Sequence, residues 1–138
     1  MLRLLMQEAE TLIRLGALDE AFSNCQEVFE MKEADSNKSS KLFFNTAFYN
    51  AAIIRCKQGN IEDSKHYFQC FLKNMQSFCK EFLSKEKYNE LSSNHAFEGE
   101  DIKTYLANSL TIFEAVCMKG SNFITDYVAR NCEELKDL

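Results

Sequence analysis

The chain of 138 residues has no proline and only four glycines. Proline interrupts α-helices because its ring removes a backbone donor and clashes with the preceding turn, and glycine weakens helix interiors because it is flexible. A chain of one-domain length with so few breakers is therefore predicted to form long helices. Its 46% hydrophobic and 27% charged residues are ordinary for a globular protein. We expect a single all-α domain spanning residues 1–138.

The chain also lacks an excess of basic residues, since its net charge is −5. Nucleic-acid binding depends on cations that displace phosphate counterions, so this charge argues against a nucleic-acid partner. No run approaches the roughly 18 apolar residues of a membrane span. Arg3 and Glu8 interrupt the apolar opening before it resembles a secretion signal. We therefore expect neither a nucleic-acid nor a membrane partner.

No two of the six cysteines form a Cys-x-x-Cys pair, and their spacing does not suggest a dense disulfide framework. They are Cys25, Cys56, Cys70, Cys79, Cys117 and Cys132. Each lies within or beside a predicted apolar stripe, which is typical of reduced, buried thiols. This pattern favours a cytoplasmic protein, with the nucleus as the alternative.

Residues for catalysis are also scarce. His66 and His95 are the only histidines, and neither stands in a metal-binding or nucleophile motif. The glycines are single, so the chain has no phosphate-binding loop. We expect no catalytic residue, no cofactor and no metal, and thus a protein that is not an enzyme.

What the chain does contain is helical periodicity with an internal repeat. Residues 16–21 (GALDEA) and 59–64 (GNIEDS) share one order: glycine, spacer, aliphatic residue, two acids and a small residue. Glycine allows the left-handed turn that ends a helix, and acids suit the positive end of the next helix dipole. Each segment is therefore predicted to be the turn of a helical hairpin.

The stretch from Ala47 to Asn74 resembles a tetratricopeptide repeat. That family's first helix has Trp, Leu-Gly and Tyr at set spacings, and its second helix has Ala and Phe. The corresponding residues here are Phe48, Ala51, Ala52, Arg55, Ser64 and Phe68, with Arg55 in place of the tyrosine. The first hairpin resembles the same pattern through Leu5, Ala9, Leu12, Ala21 and Cys25.

The resemblance implies antiparallel helical hairpins stacked as a short right-handed solenoid of about six helices. We place the hairpins at about 2–33, 41–91 and 101–136, the last being a degenerate repeat or an unrelated cap. The fourth helix is predicted to be extended, because its apolar spacing runs from Ile61 to Leu83 and continues through Tyr88 and Leu91.

In the family, the outward residues of each first helix line a concave groove that binds a peptide or a partner helix. Carried over by position, the partner-binding residues are Arg3, Gln7, Arg14, Tyr49, Asn50, Ile53 and Lys57. The resemblance thus implies a non-catalytic adaptor or complex subunit. One alternative is a small acidic chaperone for secreted or assembly-prone clients. Another is a self-associating domain, a homodimer in which the extended fourth helix pairs with that of a second copy.

Overall fold

The structure is a computed structural model that describes residues 2–31, 38–116, 122–135 and 137. Within these ranges it contains seven α-helices and no strand, which confirms the all-α prediction. The helices are α1 (Leu2–Arg14), α2 (Leu18–Glu30), α3 (Lys38–Lys57), α4 (Ile61–Phe82), α5 (Lys85–Ser93), α6 (Ile102–Val116) and α7 (Asn122–Leu135). None of the helices in the described ranges is long and apolar enough to cross a membrane.

The chain divides into two compact units, Met1–Phe71 and Leu72–Leu138. In the first unit, α1 packs against α2 and α3, and α2 also packs against α3. Five alanines on these helices are fully buried, and their small side chains let the helix backbones approach closely. They are Ala9, Ala21, Ala47, Ala51 and Ala52.

The two predicted glycine turns are confirmed. Gly16 and Gly59 have positive φ angles of 81° and 80°. At the second turn, the Gly59 N–H donates to the Cys56 carbonyl at 3.0 Å and the Asn60 N–H donates to the Arg55 carbonyl at 2.9 Å. The first turn has the same pair of bonds. This is the Schellman arrangement, which satisfies the trailing carbonyls of a helix and needs glycine at the left-handed position.

A buried serine joins α4 to α3. The Ser64 hydroxyl donates a hydrogen bond to the Ala52 carbonyl at 2.7 Å, and both residues are fully buried. Because an unpaired buried hydroxyl would be costly, this bond explains why a small polar residue is tolerated here. It also places the two helices of the second hairpin in direct contact.

The fourth helix is shorter than predicted. It continues past Asn74, as expected, but ends at Phe82, and α5 begins at Lys85. Ser84 separates them: its backbone is extended, and its hydroxyl accepts a hydrogen bond from the Lys87 N–H at 3.2 Å. A serine N-cap of this kind begins a new helix, so the chain has a short α5 that the prediction of about six helices did not include.

In the second unit, α6 packs against α7. The face of α6 that is buried carries Ile102, Tyr105, Leu106, Ser109, Ile112, Phe113 and Val116. On α7, Ile124, Tyr127 and Val128 are buried, and the Cys132 thiol donates to the Leu106 carbonyl at 3.4 Å. Gly120, which the sequence places at the turn of this hairpin, lies outside the described residues.

Candidate interaction site

Three of the predicted groove residues are in the core. Tyr49, Asn50 and Ile53 are each 0% exposed. The Tyr49 ring contacts the rings of Phe68 and Phe71, with centroids 6.1 Å and 5.6 Å apart. The Asn50 amide lies on the α1 side of α3, with Nδ2 3.8 Å from the sulfur of Met6 on α1. These three side chains therefore hold α3 in its place and do not line an open groove.

The other predicted residues lie nearer to solvent. Gln7 and Lys57 are half-buried and Arg14 is exposed, whereas the side chain of Arg3 lies outside those that the structure describes. Gln7 and Arg14 are two turns apart on one helix and share its solvent-facing side. The structure thus brings together two of the seven predicted residues on α1, and their role in partner binding remains a prediction.

The exposed side of α1 is the candidate interaction site, and we call it the α1 outer face. Its members are Leu4, Gln7, Glu8, Thr11, Arg14 and Leu15, which recur every three or four residues. Leu4 is 66% exposed and Leu15 is 76% exposed. Among the side chains that the structure describes, these are the two large hydrophobic ones in the exposed class. Leu15 directly follows the last residue of α1, and its N–H still donates to the Thr11 carbonyl at 3.0 Å. Eleven steps of about 1.5 Å along the helix axis place the two leucines about 16 Å apart.

The centre of the α1 outer face is polar, and some of its hydrogen-bonding groups are already paired within the helix. The Thr11 hydroxyl donates to the Gln7 carbonyl at 3.1 Å, and one Arg14 nitrogen donates to the same hydroxyl at 3.5 Å. The threonine is thus already hydrogen-bonded within its helix. The arginine has further N–H groups and its charge to offer a partner. Glu8 adds an exposed negative charge nearby.

This arrangement suits a helical partner. The two leucines are eleven residues, or about three turns, apart on one side of α1, and an amphipathic helix that lies along α1 is long enough to contact both. Burying such anchors stabilises a complex, and polar residues around them help to exclude water.

A second aromatic feature joins α2, α3 and α4 in the first unit. The rings of Phe29 and Phe48 stack with centroids 4.6 Å apart, and Phe44 and Tyr67 extend the row at 5.6 Å and 6.0 Å. All four side chains are half-buried. Sequence reasoning identified Phe48 as a packing anchor but did not place the other rings around it. Because each ring contacts another, packing accounts for this row.

The loop between α5 and α6 encloses an open polar depression of about 550 Å³. Its lining residues are Asn94, His95, Glu98, Gly99, Glu100, Asp101, Thr104 and Asn108. Asn108 donates from its amide to the Glu98 and His95 carbonyls, and Asp101 accepts the Thr104 N–H at 2.7 Å. Several of the polar groups therefore hold the loop and cap α6.

Neither a search for metal-binding clusters nor a comparison with known proteins assigns a function to the described part of the chain. Within the described ranges, no group of three or more His, Cys, Asp or Glu side chains is arranged to hold a metal ion. Comparison of the chain with protein-family models, with curated protein sequences and with solved structures found no match in any of the three.

Proposed function

We propose that this chain is a non-catalytic protein-interaction module that binds a helix of another protein along the α1 outer face. The observation that carries the proposal is the exposure of Leu4 and Leu15 at the two ends of one helical face. Exposed apolar surface that is rimmed by polar residues marks many interaction sites, and the two leucines supply the apolar part of this face. The function is that of an adaptor or a subunit of a larger assembly.

Features of the first unit support a tetratricopeptide-like scaffold for this surface. Helices α1, α2 and α3 pack on one another, and two Schellman turns close the hairpins. Ser64 and Phe68, which match the small and aromatic positions of the family pattern, are both fully buried. A rigid stack of this kind would present α1 without requiring it to fold on binding, which lowers the entropic cost of association.

The leucines would supply most of the binding free energy. Burying one exposed leucine side chain contributes about 1.5–3 kcal/mol. Losing both contacts is therefore expected to weaken binding by roughly 100-fold or more, since 1.4 kcal/mol corresponds to a factor of ten. Arg14 lies on the rim of the surface and is expected to affect association rate and partner choice more than affinity.

Quantitative affinity capture tests the proposal with three baits: the native chain, Leu4→Gln with Leu15→Gln, and the control Glu27→Gln. Glu27 is exposed on α2, away from the α1 outer face. Circular dichroism would verify that all three baits keep their helices. The native and control baits should retain the same specific partners, and the double variant should lose them. Equal recovery by the double variant would overturn the assignment of this face.

A further inference from the structure

One pair of metal-ligating side chains stands outside the surfaces described so far. His66 and Cys70 lie one turn apart on α4, and the imidazole Nε2 is 3.9 Å from the thiol sulfur. His66 is exposed and Cys70 is half-buried, so the pair lies at the surface of the protein. The Tyr67 ring packs against the imidazole in a T-shaped arrangement, with centroids 5.5 Å apart.

The spacing of the two atoms fits a tetrahedral zinc ion. Bond lengths of about 2.3 Å to sulfur and about 2.0 Å to nitrogen place tetrahedral ligands about 3.5 Å apart. The observed separation exceeds that value by a few tenths of an ångström, which a small side-chain rotation removes. Both ligands come from adjacent turns of one helix, so no change in the fold is required.

The other described cysteines are poorly suited to bind a metal. A metal ion binds the thiolate form of cysteine. Burial raises the pKa of Cys25 and of Cys79 to about 12, which disfavours the thiolate at both residues. Burial also raises the pKa of Cys56. Burial raises the pKa of Cys132 as well. Among the described cysteines, Cys70 is the one that combines solvent access with a nitrogen ligand at chelating distance.

We propose that His66 and Cys70 form a two-residue chelate for a thiophilic divalent cation of the zinc class. The imidazole binds through Nε2 and keeps its proton on Nδ1. The thiol proton passes to solvent as the metal–sulfur bond forms, so charge and atoms balance. Water completes the coordination. The site is independent of the α1 outer face. It differs from the expectation from the sequence that the chain binds no metal.

Cobalt(II) is the probe that tests this site, because cobalt bound to a thiolate gives a near-ultraviolet charge-transfer band. The reduced native chain should develop the band and saturate near one cobalt ion per chain. Cys70→Ser should abolish it. His66→Asn should raise the cobalt concentration at half-saturation by about 100-fold, because a chelate of two ligands converts the second binding step into an intramolecular one.

The matched control is Cys132→Ser, which removes a half-buried thiol with no histidine at chelating distance. Its titration should coincide with that of the native chain, and circular dichroism would confirm that every variant is folded. Absence of the band in the native chain would overturn the proposal. A band that persists in Cys70→Ser, or a native-like titration of His66→Asn, would overturn it as well.

Discussion

The Arg55 guanidinium lies over the Phe22 ring, with its Cζ 3.7 Å from the ring centroid. This contact joins α3 to α2. Arg55 Nη1 also donates a hydrogen bond to the Gln58 amide oxygen at 2.7 Å. The Gln58 amide nitrogen donates in turn to the Asp19 carboxylate at 3.2 Å. Arg55 occupies the position at which the tetratricopeptide pattern has tyrosine. At this position a planar guanidinium, in place of a tyrosine ring, stacks on the Phe22 ring.

Replacement of Arg55 by alanine should destabilise the first unit. The variant loses the cation–π contact and the packing of the long side chain, and we expect a loss of about 1–2 kcal/mol in the free energy of unfolding. Arg55→Met should lose less, because the apolar stem still packs, although it gives up the 3.8 Å ion pair between Nε and Asp63 Oδ2. Urea denaturation measures both variants, and equal losses would contradict this explanation.

Tyr49→Ala should act on stability, because the residue is part of the core. Removing a fully buried aromatic ring that contacts Phe68 and Phe71 is expected to cost about 3–5 kcal/mol of unfolding free energy. Lys57→Ala, the control on the same helix, is half-exposed and should change it by less than about 0.5 kcal/mol. A Tyr49→Ala variant as stable as the native chain would contradict the placement of Tyr49 in the core.

Ser84→Ala should loosen α5. The variant removes the hydroxyl that accepts the Lys87 N–H, and loss of a serine cap costs about 1 kcal/mol. Amide hydrogen exchange should become faster across Lys85–Ser93, while the amides of α6 keep their rates. Ser77→Ala, an exposed position inside α4, is the control and should leave α5 exchange unchanged. Unaltered exchange in Ser84→Ala would show that the cap does not stabilise this helix.

Cys25 should make stability fall at alkaline pH. Burial raises its pKa from 9.0 to about 12, so the thiol stays protonated in the folded chain while it ionises in the unfolded one. Its contribution is complete below about pH 9 and is lost as the pH rises toward 12, with a slope of at most about 1.4 kcal/mol per pH unit. Urea midpoints at about pH 8 and about pH 10 should differ less for Cys25→Ala than for the native chain. An equal difference would contradict this role, and Cys70→Ala is the control that should resemble the native chain.

Local features of the fold were predictable from sequence. The turns at Gly16 and Gly59 depend on residues within five positions along the chain, so the glycine and its neighbours were enough to predict them. The boundary at Ser84 was missed because the apolar spacing continues through it in Leu83 and Tyr88. The serine itself was the available signal, since serine is a preferred N-cap.

The candidate site was harder to predict because burial depends on distant residues. Tyr49 and Ile53 lie on the face that the family pattern assigns to the groove, but contacts with residues far along the chain bury them. The exposure of Leu4 and Leu15 had a signal in the sequence, because neither residue has the spacing of the buried positions of α1. Their exposure depends on how α1 packs against α2 and α3, which the local sequence pattern does not determine.

The central claim is that a partner helix lies along the α1 outer face, and site-specific photo-crosslinking tests it most directly. A photoreactive amino acid would replace Thr11, which lies between the two leucines, and in a control chain it would replace Gln26, which is exposed on α2. The account predicts that position 11 crosslinks to another protein, that position 26 does not, and that Leu4→Gln with Leu15→Gln abolishes the crosslink. Crosslinking of the same protein from position 26 but not from position 11 would contradict it.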